Sequence, residues 1–189
     1  DDTIETFFIN LIRGTGIAGL QGISEKNSTI IRPLLCLNRF EIECYLTDKQ
    51  QKYLEDSSNS SVKYLRNKIR LKLLPLLEEM NPNIKETIKK EIAILKETTT
   101  VFFHQIESVR KEIVYHNKGV ASINIDKLKK LTPLKIYLFE LLQPFGFTQI
   151  EAIILALNTQ SGKQFFSTTH ELLIDRKVIF ISKIKPEKD

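Results

Sequence analysis

Apolar side chains recur along this chain mostly at helical intervals. Ile4, Phe7, Phe8, Leu11 and Ile12 are spaced three and four apart, the signature of one buried face, so the opening stretch predicts an amphipathic helix with Asp2 or Thr3 as its N-cap. Gly14 and Gly16 end it, because glycine takes the left-handed backbone that closes a helix without a Cβ clash. After a glycine-punctuated turn through Gly22, the run TIIRPLL reads as a short buried strand stopped by Pro33. A helix is expected over 39–48. The polar loop Glu55-Asp56-Ser57-Ser58-Asn59-Ser60-Ser61 then leads to a helix beginning near Val62, with Leu65, Ile69, Leu73 and Leu76 on its apolar side.

Asn81-Pro82-Asn83 interrupts the pattern and starts a fresh helix, since proline suits a first turn. The main domain junction is expected here. From 84 to about 115 the periodicity stays helical, as one extended helix or two in tandem, and shorter helices follow over 126–131, 133–142 and 148–158. The tail changes character: Lys163-Gln-Phe-Phe-Ser and the run from Glu171 to Ser182 are β-branched and aromatic, predicting a hairpin that turns at Asp175-Arg176. The fold class is therefore mainly α with a few short strands.

With 189 residues, 42% of them hydrophobic, the chain can fill a packed core. No apolar run reaches the roughly 18 residues of a bilayer span, and no signal-peptide pattern precedes Asp1, so a cytoplasmic address is expected. The formal net charge is +5. The basic residues gather between Lys63 and Lys96, which is compatible with a polyanionic partner without requiring one. Cys36 and Cys44 match neither a CxxC pair nor half a zinc site, and read as reduced, packed thiols.

Gly14-Thr-Gly-Ile-Ala-Gly19 is a literal GxGxxG, but that fingerprint follows a strand and opens a helix, whereas this one follows a helix. It reads as a C-cap and turn. Gly162-Lys163 lacks the remaining residues of a phosphate loop. His104, His116 and His170 are too scattered for a metal set, and no GxSxG is present.

Two clusters carry candidate chemistry. Asp1, Asp2, Glu5 and Thr6 crowd one helix start. Acids there meet the helix dipole, worth roughly 0.3 to 1 kcal/mol each, yet three neighbouring carboxylates repel one another unless a cation lies between them. Capping and ligand binding both remain open. Arg66 and Arg70, four apart beside Asn67, share a face near another helix start, where an anion is favoured. Arginine forks suit phosphate. A solvated basic face paired with Glu78 or Glu79 is the alternative.

Taken in order, DDTIET, NLIRGTGIAGLQGI, IIRPLL, RFEIECYL, YLEDSSN, YLRNKIR and LLPLLEEMNP resemble one family, the bacterial tRNA(Ile)-lysidine synthases. The likeness is dense over the first 82 residues and thins to SGKQFFSTTHELLIDR beyond them. In that family the acidic string is the latter half of HHxDDxxET, preceded by an SGGxDS loop. Neither the paired histidines nor that loop stands in this sequence, so the resemblance implies a fragment, one that also stops short of a final β-rich domain.

The resemblance further implies that residues 1–82 are the C-terminal portion of an α/β nucleotide-binding catalytic domain, and 83–189 a helical tRNA-binding domain ending in a β-hairpin. The implied activity ligates lysine to C2 of the wobble cytidine of tRNA(Ile) bearing a CAU anticodon, converting ATP to AMP and pyrophosphate with Mg²⁺. Free L-lysine would be held by Asp1, Asp2, Glu5 and Thr6, with Asp56 and Asn59 completing the pocket and Asp2 as general base. Arg66 and Arg70 would act on the released phosphates, with Arg13 and Asn67 beside the nucleotide. Lys63, Lys68, Lys72, Lys89 and Lys90 would track tRNA phosphates. No membrane partner is expected, and a homodimer is compatible. The fragment alone is expected to be inactive. Rival readings are a cytidine thiolase, for which Cys36 and Cys44 are poorly placed, and a non-catalytic helical RNA-binding or scaffold module.

Overall fold

The computed structural model describes residues 2–54, 65–158 and 162–184. The chain divides into two compact units, Asp1–Val101 and Phe102–Asp189.

In the first unit, α1 (Asp2–Arg13) places Asp2 and Glu5 in its first turn and Arg13 in its last, matching the helix dipole at both ends. Asp2 and Thr3 already lie within the helix, so neither is the cap expected from sequence. Ile4 is fully buried and packs with Ile69, Leu74, Ile88 and Ile92, flanked by Phe7, Phe8 and Ile9. Gly14 closes the helix at φ +67°, and its N–H reaches the Leu11 carbonyl at 3.1 Å. A single turn, α2 (Gly16–Gly19), follows. The Asn10 amide donates to the Gly19 carbonyl at 2.7 Å, tying this loop to α1.

The expected buried strand is instead a small exposed hairpin. β1 (Lys26–Asn27) and β2 (Ile30–Ile31) pair antiparallel, and Ile30 and Ile31 face solvent. Pro33, which has no N–H for a ladder, opens a 3-10 turn over Pro33–Cys36. α3 (Arg39–Asp48) starts where expected, held by a capping box. The Asn38 side chain accepts from the Glu41 N–H at 2.9 Å, and the Glu41 carboxylate accepts from the Asn38 N–H at 2.6 Å. Cys36 and Cys44 are free thiols, but exposed, not packed.

The next helix is interrupted by one wide turn. α4 (Leu65–Lys68) passes through a π-turn, Ile69–Leu73, into α5 (Leu74–Met80). Simple four-residue spacing from Ile69 placed Leu73 and Leu76 on the buried side. The five-residue turn shifts the face by one position, so Ile69 and Leu74 are buried while Leu76 is 54% exposed. α6 (Ile84–Ile113) is one continuous helix. Its Ile88 and Ile92 complete the first core.

In the second unit, Val109 and Ile113 join a larger core. Five antiparallel strands, in the order β3-β4-β7-β6-β5, form its sheet: β3 (Val114–Asn117), β4 (Val120–Asn124), β5 (Lys163–Phe166), β6 (His170–Asp175) and β7 (Val178–Lys183). Ala121, Ile123, Leu172, Ile174, Ile179 and Ile181 share the buried core with α7 (Ile125–Leu128), α8 (Leu134–Leu142) and α9 (Ile150–Ala156). The terminal hairpin turns through Arg176 and Lys177, between paired Asp175 and Val178. The β3-β4 hairpin escaped sequence reading. The fold class stands as mainly helical with short strands. Among the described residues no single helix is long and apolar enough to cross a membrane.

Candidate functional site

Ile4 and Ile69 are buried in the same small core, and that packing brings their neighbours Glu5 and Arg70 together. The Arg70 guanidinium grips the Glu5 carboxylate through two hydrogen bonds, Nε to Oε1 at 2.6 Å and Nη2 to Oε2 at 3.1 Å. Arg66 adds a longer ion pair to Glu5 at 3.6 Å and donates to the Thr6 hydroxyl at 3.3 Å. Asp2, one helical turn before Glu5, lies 3.7 Å from Arg70 Nη2. The acidic and basic clusters therefore form one ion-pair network.

Burial separates the roles of the two acids. The Glu5 side chain is 0% exposed and that of Asp2 58%. Glu5 already offers its oxygens to two guanidinium groups, so of the two carboxylates Asp2 is the one open to solvent. Charge pairing has to offset the burial of Glu5, because an unpaired carboxylate in that position would be strongly disfavoured.

The network forms one wall of a cleft of about 860 Å³. Its charged lining is Asp2, Glu5, Glu78, Arg32, Arg39, Arg66, Arg70 and Lys85, and its apolar lining includes Pro33, Leu34, Leu35 and Leu37 from the turn after β2. Cations outnumber carboxylates, which favours an anionic occupant. Glu78 pairs with Lys85 at 2.8 Å, not with the arginines as the surface alternative supposed. Sequence reading left Arg32, Arg39 and Lys85 unassigned.

Other expected site residues lie elsewhere. Arg13 ends α1, about 16 Å along the axis from Asp2 at 1.5 Å per residue, and does not line the cleft. Asn67 is buried and is likewise absent from the lining. Lys68, Lys72 and Lys90 are exposed, and Lys89 is exposed but paired with Glu86 at 2.8 Å. Asp1, Asp56, Asn59 and Lys63 fall outside the described residues. Among the described residues no group of three or more His, Cys, Asp or Glu side chains could hold a metal ion. The glycine string runs from the end of α1 into one short turn, without a preceding strand.

Comparison with known proteins adds to this geometry. A family profile described as the PP-loop domain matches residues 1–77, and one described as the TilS substrate binding domain matches 116–184. A tRNA(Ile)-lysidine synthase of Parabacteroides distasonis is 40% identical over 190 residues, covering 100% of this chain and 43% of that protein. Synthases of Bacteroides thetaiotaomicron and Porphyromonas gingivalis are 41% and 37% identical over 100% of this chain, which covers 44% and 41% of their lengths. The chain thus spans less than half the length of these relatives.

Proposed function

We propose, since the chain belongs to the tRNA(Ile)-lysidine synthase family, that its first unit supplies the lysine-facing and phosphate-facing wall of such an enzyme. The observation that carries this reading is the Asp2-Glu5-Arg70 network opening on a cation-rich cleft. On this reading ATP adenylates the C2 oxygen of the wobble cytidine in tRNA(Ile) with a CAU anticodon, releasing pyrophosphate, and the ε-amine of lysine then attacks C2 and expels AMP.

Each step sets a requirement that these residues meet. Lysine arrives as an ammonium ion, and half-exposed Asp2 is the carboxylate in reach. The nucleophile must be neutral, and deprotonating an amine of ordinary pKa near 10.4 at pH 7 costs about 4 to 5 kcal/mol. A neighbouring carboxylate raises that cost in the ground state, so Asp2 contributes by accepting the proton as the C–N bond forms. Arg66 and Arg70 offset the negative charge that develops on the phosphates. Glu5 holds Arg70 in place for this work.

ATP fits a cleft lined by four arginines. Among the described carboxylates of the cleft, Glu5 and Glu78 are taken by cations, so Asp2 is the one that would hold Mg²⁺, which uses one or two carboxylates with its phosphates. No step above depends on the ion. Residues 1–82 are read as the C-terminal portion of the catalytic domain and 83–189 as the tRNA-binding domain, where exposed Lys89 and Lys90, with Lys68 and Lys72 from the first part, contact backbone phosphates. Affinity for tRNA is then expected to fall steeply between low and moderate salt. A flat salt response in a filter-binding titration would contradict that assignment.

A further inference from the structure

Five cations line the cleft, and among the described residues four of them have a carboxylate partner. Arg39 pairs with Glu43 at 2.5 Å, Arg66 and Arg70 with Glu5 at 3.6 and 2.6 Å, and Lys85 with Glu78 at 2.8 Å. Arg32 is the exception. Its side chain makes a single described hydrogen bond, from Nη1 to the Ser24 carbonyl at 3.2 Å, which steadies the guanidinium without neutralising it. A guanidinium has five N–H donors, so most remain available.

The backbone around Arg32 is held. Its N–H donates to the Glu25 carbonyl at 2.8 Å across the β1-β2 hairpin, and Pro33 restricts the conformation of the residue before it. A fork with one anchored nitrogen and, among the described residues, no carboxylate partner, set on the lining of an 860 Å³ cleft, suits a polyvalent anion. The head group of a free amino acid carries both signs and is a poor match for that excess. We propose that Arg32 is a further phosphate-binding residue, donating to a phosphoryl oxygen that enters the cleft. This assignment rests on the lysidine synthase reading only for the source of the phosphate, which is either ATP or the tRNA backbone.

The test uses the protein encoded by the complete reading frame, as wild type, Arg32→Ala and Arg32→Lys. Equilibrium binding of ATP and of a tRNA(Ile) transcript is measured at two salt concentrations, beside a thermal melt and the KM for lysine. Loss of one charge-assisted hydrogen bond is expected to weaken one phosphate ligand by about tenfold or more in R32A. R32K keeps charge without the fork and is expected to lose about threefold or more. Loss for ATP alone assigns the nucleotide. Loss for tRNA alone, with the salt slope falling by about one, assigns its backbone. If R32A does not fold, R32K carries the comparison. Affinities for both ligands within about twofold of wild type, or a change confined to lysine, overturns the assignment. If the wild type modifies no tRNA yet loses a phosphate ligand in R32A, the lysidine reading falls while Arg32 stands.

Discussion

Replacing Glu5 with Gln preserves shape and removes the charge that holds Arg70. In the native protein a fully buried carboxylate receives two hydrogen bonds from one guanidinium, at 2.6 and 3.1 Å, and a second guanidinium lies at 3.6 Å. At an effective dielectric near 20, opposite charges about 4 Å apart attract by roughly 4 kcal/mol, and breaking a buried pair from one side costs about 3 to 5 kcal/mol. Arg70 remains 31% exposed and can recover some hydration, so the lower end applies. Gln also turns an N–H group toward guanidinium N–H groups. The expected cost is about 3 kcal/mol, read from urea denaturation of the E5Q variant by linear extrapolation. A double-mutant cycle with Arg70→Gln separates the pair from its surroundings, with a coupling of about 2 kcal/mol expected. An E5Q cost below about 1 kcal/mol with negligible coupling would refute the claim that this pair holds the site together.

Asp2→Asn acts on an exposed group 3.7 Å from Arg70, so stability should change by less than about 1 kcal/mol while the KM for lysine rises about tenfold or more. A large stability loss with unchanged KM would reverse the roles given to Asp2 and Glu5. Gly22→Ala places a Cβ about 2.5 Å from the Thr3 methyl at φ +72°, so melting of the first unit should fall by about 1 to 3 kcal/mol. An unchanged melt would mean that this loop is not seated against α1. Desolvation raises the Glu140 carboxyl above its usual 4.5, partly offset by Arg110. Its ionisation thus weakens the native state once pH exceeds the folded pKa, and the effect vanishes below the unfolded value. Glu140→Gln should raise Tm at pH 7 and leave it unchanged near pH 3.5, and equal effects at both would contradict this.

The helical frame was legible because α1 and α6 bury one face each, with stops at Gly14 and Asn81-Pro82, whereas α3 buries no residue. Three features were not. The π-turn over Ile69–Leu73 leaves every residue helical and only shifts the phase, so periodicity alone placed Leu76 inward. The β3-β4 hairpin follows α6 without a break, and its one local signal, Lys118-Gly119 with φ of 46° and 82°, is a turn flanked by polar Tyr115-His116-Asn117. The TIIRPLL strand failed because two adjacent isoleucines look buried whether or not anything covers them. Of the residues lining the cleft, spacing singled out Asp2, Glu5, Arg66 and Arg70 as two pairs, since the members of each pair stand three or four apart. It could not show that the pairs bond to each other, because that depends on the packing of Ile4 and Ile69 across 65 positions. Nor could it reveal Arg32, whose standing depends on which carboxylates the other cations use.

The most direct measurement incubates the protein from the complete reading frame with ATP, isotopically labelled lysine and a tRNA(Ile) transcript carrying a CAU anticodon, then analyses its nucleosides by mass spectrometry. Label on a single cytidine for the wild type, with loss of about a hundredfold or more in rate for Asp2→Asn and Arg70→Ala, is the expected result. Wild-type levels of labelled nucleoside from both variants would contradict the assignment of this cleft.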